Sequence, residues 1–188
     1  MHFRLSRPAP DDLAPLVVSG RADCLTYEPV GITTLATAPF GYRLDRWSCL
    51  LGRGDWVFDT AADTIRHWQV QKGSGIVVLA DGPPHLGQVV AMSAPLPIGY
   101  LDLACRVVDV VASSEHYGFA YGTLSVHPEQ GEESFTVTRQ SNDEVTFEIV
   151  AASRPRNPLA RAVPPIARRL QRAATARYLE AMKAAIAR

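Results

Sequence analysis

Between residues 75 and 152 apolar and polar positions alternate with a period of two, and β-branched and aromatic residues fill most of the apolar ones. The segments GIVVLA, GQVVAM, LDLACRVVDVVA, GFAYGTLSV, ESFTVTR and EVTFEIVAA predict about six strands, separated by turn clusters such as DGPPH at 81–85 and SNDE at 141–144. Their connections are short and carry no helical pattern, so neighbours are expected to pair antiparallel as a meander. On either side the period lengthens. In WVFDTAADTIRHWQV, Phe58, Ala61, Ala62, Ile65 and Trp68 recur every three or four positions, which predicts a helix near residues 57–69. Toward the C-terminus Val163, Ile166, Leu170, Ala174, Tyr178, Ala181 and Ala185 form one stripe and predict the longest helix. Pro164 and Pro165 suit its first turn, where a missing amide hydrogen is harmless. The first 55 residues are interrupted by Pro8, Pro10, Pro15, Pro29 and Pro39 and are expected to be poorly regular, with one or two strands, the best at Tyr42–Leu51. The N-terminal 20 or so are read as irregular.

A chain of 188 residues with 47% apolar content forms one domain with its own core, and residues 1–188 are read as such. The 19 basic and 19 acidic side chains cancel, which removes any global argument for a nucleic-acid partner. The balance hides an asymmetry: from Ser153 onward nine basic residues accompany the single acid Glu180, while residues 1–152 carry the compensating negative excess. The plain explanation is a cationic helix edge against an acidic sheet rim; the functional one is attraction to an anionic surface. Cys24, Cys49 and Cys105 are odd in number and widely spaced, which argues against a disulfide framework or a structural zinc site and for the reducing cytoplasm. The start lacks a signal-peptide pattern, and no stretch has the apolar length of a membrane span.

Candidate chemistry concentrates in residues 116–135, HYGFAYGTLSVHPEQGEESF. One account is a hairpin, with Pro128 at the second position of the turn and Gly131 supplying a positive φ. The other is a polar site built on His127 and Glu133. Adjacent strand residues point to opposite faces, so Glu132 and Glu133 cannot both join it, and one histidine with one glutamate falls short of a catalytic zinc set. No metal or cofactor is expected. The preceding strand places Phe119, Tyr121, Thr123 and Ser125 on one face, a mixture of aromatic bulk and hydroxyls suited either to a ligand cavity or to an ordinary core. Gly122, on the other face, would permit close approach of a helix or ligand. Arg106 needs a partner if it is inside, and facing a cavity it would anchor a carboxylate or phosphate. The candidate cavity lining is therefore Trp68, Arg106, Phe119, Tyr121, Thr123, Phe147 and Tyr178. LGRGDW lacks the residues of a phosphate loop, Ser153 lacks a nucleophile elbow, and nothing fixes a base beside Cys105.

A curved sheet followed by one long amphipathic helix must bury its apolar face under that helix, an α+β arrangement that resembles the helix-grip fold of the START and Bet v 1-like superfamily. The runs CRVVDVV, GFAYGTLSVHPEQGEESFTV, ASRP and QRAATARYLEAM, with Tyr27-Glu28-Pro29-Val30-Gly31 and the Gly52-to-Trp68 pattern, resemble uncharacterised protein family 0548. That resemblance implies a domain of unknown function and transfers no catalytic residues. The leading expectation is a non-catalytic module that holds a small apolar or amphipathic molecule between sheet and helix. A cyclase- or hydrolase-like enzyme using His127, Glu133, Tyr121 or Arg106 stands second, and a protein that binds anionic surfaces through its basic helix third.

Overall fold

The computed structural model describes residues 2–156 and 164–187, the side chains of 164–171 excepted. The six expected strands are present as β3 (Val77–Leu79), β4 (Val89–Pro95), β5 (Tyr100–Ala112), β6 (His116–Thr123), β7 (Glu129–Arg139) and β8 (Glu144–Pro155). β2 (Arg43–Arg53) pairs with β8 at one edge of the sheet, and β1 (His2–Arg4) pairs with the first residues of β5. All pairings are antiparallel and the main order is β2-β8-β7-β6-β5-β4-β3. The register slips between Val107 and Asp109 in β5 and between Leu50 and Gly52 in β2. Such bulges bend and twist the strand that carries them, so both contribute to the sheet's curvature.

Alternation decides the two faces. Val145, Phe147 and Ile149 of β8 share the inner face with Phe135 and Val137 of β7, Phe119 and Tyr121 of β6, and Cys105 and Val107 of β5. They pack against α2 (Asp55–Arg66), α3 (Gln69–Gly73) and α4 (Pro164–Ile186), whose Tyr178 and Met182 are buried in the same cluster. Phe135 and Phe147 are fully enclosed, each burial worth about 1.5–3 kcal/mol. The expected stripe on α4 holds for Ala174, Tyr178, Ala181 and Ala185; Val163, Ile166 and Leu170 lie outside the described side chains. The helix expected near 57–69 stops at Arg66: Trp68 adopts a left-handed conformation (φ 58°), donates its indole N–H to the Gly82 carbonyl at 3.0 Å, and starts α3.

The outer face is apolar as well, and the N-terminal third covers it. Leu13 packs on Val77 and Ala91; Tyr27 and Ile32 pack on Ala152; Val17 and Leu25 pack on Val89, Ala104 and Leu124. The region read as irregular contains a helix, α1 (Ala14–Ala22), with Pro15 in its first turn, the same placement that the double proline has in α4. Arg106, between the inward-facing Cys105 and Val107, points outward and donates to the carbonyls of Gly20 and Asp23, each at 2.7 Å, at the end of α1. Gly122 faces outward too. Its neighbour is neither helix nor ligand but the Tyr27 ring, into which a Cβ would intrude.

Glu132 fixes this cover. Its buried carboxylate accepts from the Tyr27 hydroxyl at 2.6 Å, the Gly31 amide at 2.8 Å, the Thr33 amide at 3.3 Å and the Thr33 hydroxyl. Four donors on one carboxylate compensate its removal from water, and deleting it strands all four. Glu132→Ala is expected to lower the unfolding free energy by about 3 kcal/mol, with Glu132→Gln losing roughly half of that. Urea denaturation of the two variants measures this; stability unchanged in both would mean that the carboxylate does not hold the segment.

Candidate functional site

A cavity of about 320 Å³ lies between the inner sheet face and α4. Met92, Leu101, Leu103 and Ala151 supply apolar wall from β4, β5 and β8, and Ala174 and Tyr178 close it from α4. Leu101, Leu103 and Cys105 share a face by period two, so this wall follows from the strand pattern once the direction of one residue is known.

The polar part comes from β6, β7 and the loop between them. Tyr121 and Glu133 stand directly opposite each other in the antiparallel pair, and the Tyr121 hydroxyl donates to Glu133 Oε2 at 2.7 Å. The Tyr178 hydroxyl interacts with that of Tyr121. The β6–β7 connection turns at Ser125 and Val126, closed by the His127 amide donating to the Leu124 carbonyl at 2.9 Å, so Pro128 follows the turn and does not form its second position. Gly131 has the expected positive φ, 153°, and a Cβ there would overlap the Ala152 carbonyl; its amide donates to Thr123 Oγ1 at 3.0 Å. His127 Nδ1 accepts the Glu129 amide at 3.1 Å.

Burial sets the protonation states. It pushes the Glu133 carboxyl up to about 7; the Tyr121 hydrogen bond works against that, and repulsion from Glu129 adds to it. Burial likewise raises Glu129, against a hydrogen bond from Ser153, and lowers His127 to about 4, which leaves its imidazole neutral near pH 7. The fully buried Cys105 thiol is pushed well up by burial, which removes it as a nucleophile. Among the described residues no three His, Cys, Asp or Glu side chains are grouped to hold a metal.

Of the sequence-derived candidates, Tyr121, Thr123, Tyr178, His127 and Glu133 line this cavity. Trp68, Phe119 and Phe147 belong to the packed core beside it: Phe119 lies 4.8 Å from the Trp68 ring and 5.5 Å from that of Phe135. Arg106 is on the outer face and outside the site. Sequence reasoning passed over Glu129 and Ser153, although Glu129, Gly131 and Glu133 share one face at period two.

These shifts make stability depend on pH in a separable way. A carboxyl raised in the folded chain from 4.5 to about 7 contributes stability below about 4.5 that is lost as pH rises through 7, about 3 kcal/mol in all. His127 has the opposite sign: its depressed value costs stability as pH falls from 6.5 toward 4. Glu133→Gln cannot ionise and keeps His127, so the stability of the wild type relative to the variant should fall by about 3 kcal/mol between pH 4.5 and pH 8 in urea titrations. A difference that does not change with pH would show Glu133 to be normally solvated.

The family model of a domain of unknown function, DUF1990, matches residues 26–181. A UPF0548 protein of Deinococcus radiodurans is 26% identical over 193 residues, 94% of each chain. Among solved structures, a hypothetical protein of Helicobacter pylori superposes with a TM-score of 0.55 at 10% identity, covering 76% of this chain and 86% of that one. The Zhui aromatase/cyclase of a Streptomyces species superposes with a TM-score of 0.53 at 15% identity, covering 77% and 91%. Likeness at such identity concerns the fold, and the common architecture is the Bet v 1-like helix grip. With the matched segment spanning everything from the Tyr27 cover to the helix that closes the cavity, the chain belongs to the DUF1990 family, whose UPF0548 members are uncharacterised proteins.

Proposed function

We propose that the protein binds a small, largely apolar molecule between sheet and C-terminal helix and orients it through the polar groups of β6 and β7. The observation that carries this reading is the cavity itself: about 320 Å³ with a wall of Met, Leu, Ile and Ala side chains and a short polar arc at Tyr121, Glu133 and His127. Small-molecule sites combine such walls with a few convergent polar groups, and this volume falls at the lower end of their range. The free cysteines suit a reducing compartment, and we place the protein in the cytoplasm on that ground; no described helix is long and apolar enough to cross a membrane.

A second reading has one observation in its favour. The Tyr121 hydroxyl and the Glu133 carboxyl are hydrogen-bonded at the cavity, and a carboxyl near 7 is matched to proton transfer at neutral pH. A structural neighbour is named an aromatase/cyclase, which keeps a proton-transfer enzyme in view on this fold.

Binding is tested with the neutral fluorophore N-phenyl-1-naphthylamine. Purified protein should enhance its emission with a Kd on the order of 10 μM, and Ala151→Phe, which adds a ring to the cavity wall, should weaken binding by about tenfold or more while circular dichroism stays native. No enhancement by the wild type, together with no small molecule released on denaturation and seen by mass spectrometry, would refute the binding module.

A further inference from the structure

The cavity's hydrogen-bonding capacity is unequally divided between donors and acceptors. The Tyr121 hydroxyl is committed to Glu133 Oε2. The Thr123 hydroxyl is engaged with that of Thr26 at 2.6 Å and accepts the Gly131 amide. His127 Nδ1 accepts the Glu129 amide, which leaves the proton of the neutral ring on Nε2 as the one donor this residue keeps. Glu133 Oε1 has no donor among the described residues, and Glu133 enters no ion pair there. Glu129 adds a second carboxyl to the same lining.

Charges facing the site from each packed element keep this acceptor excess intact. β7 contributes Glu129 and Glu133, and Glu132 between them borders the cavity while its carboxylate is held on the outer face; the β6–β7 loop contributes a neutral imidazole, and β4, β5 and β8 only uncharged lining side chains. From α4 comes Arg177, an exposed residue at the cavity lining that forms no ion pair with Glu133 among the described residues. A half-buried carboxylate with one hydrogen bond and no counter-ion among the described residues is poorly compensated, and the ligand group that compensates it best is a cation carrying several donors. An alkyl- or arylalkyl-ammonium supplies that together with an apolar body for the Met92, Leu101 and Leu103 wall.

Building on the binding role proposed above, we propose that the ligands of this cavity are primary amines of apolar body, held by an ammonium-to-carboxylate contact at Glu133 with Tyr121 fixing the carboxylate's orientation. An aliphatic alcohol of equal length fills the same wall but offers a single neutral donor, and a fatty acid brings a third carboxyl beside Glu129 and Glu133. The three therefore rank amine, alcohol, acid.

Displacement of N-phenyl-1-naphthylamine at pH 8 by decylamine, 1-decanol and decanoate, each below its aggregation limit, reads that order. The amine should compete with a Kd about tenfold or more below that of the alcohol, and decanoate should compete least. In Glu133→Gln the amine-to-alcohol ratio should fall to about one. Equal affinity of amine and alcohol for the wild type, an acid that binds best, or an amine preference that survives Glu133→Gln would overturn the assignment while leaving the binding module standing. Failure of the wild type to take up the fluorophore or any of the three would overturn both. The ligand series needs no variant, so a poorly folded Glu133→Gln would leave the first comparison decisive.

Discussion

Everything at this site depends on a two-residue period in one strand. Glu132 and Glu133 are chemically identical neighbours, yet alternation along β7 sends one to the outer face and the other to the inner, and the two surroundings treat the same carboxyl in opposite ways. Outside, a loop folds its amides and hydroxyls around Glu132 until four donors point at it. Inside, one tyrosine hydroxyl is the entire direct answer to Glu133 among the described residues. The first arrangement makes a clamp for the chain; the second leaves a carboxyl that burial pushes toward neutrality.

The sheet sustains this asymmetry because around the site it is covered on both sides. Helices α2, α3 and α4 close the inner face, and the N-terminal third closes the outer. An ordinary antiparallel sheet leaves one face wet, and its polar positions then have water for a partner. Here they do not. Asp102 is buried and shared between Arg4 and Ser93, and Arg106 spans from the sheet to the end of α1. Each polar side chain on a two-sided sheet needs a specific companion, which is why so many of the cover's contacts to β5–β7 are hydrogen bonds.

Much of this was legible in the sequence and some was not, for identifiable reasons. The six strands, the helix before them and the long helix after them are periodic, and periodicity survives without tertiary information. Which face lies inward does not follow from it when both faces are apolar, as in CRVVDVV, and that ambiguity put Arg106 among the cavity candidates and left Leu101, Leu103 and Glu129 out. Helix α1 was hidden by reading Pro15 as a breaker, although proline in a first turn is tolerated. The clamp on Glu132 joins Tyr27 and Thr33 to a residue about a hundred positions away, and no local pattern reports such a contact. The pair Tyr121 and Glu133 was nominated by residue type; their opposition was set by the hairpin register, which a sequence fixes only through its turn.

Gly122 shows how thin the partition between clamp and cavity is. Tyr27 rests on its bare backbone from outside, while Tyr121, the next residue in the strand, reaches into the cavity, and opposite them in β7 Glu132 and Glu133 repeat the same division. Two consecutive residues on each of two strands are thus all that separates the segment around Tyr27 from whatever occupies the interior. An exchange at Tyr27 or Thr33 is therefore expected to be felt at Tyr121 and Glu133, although the two pairs lie on opposite faces of the sheet.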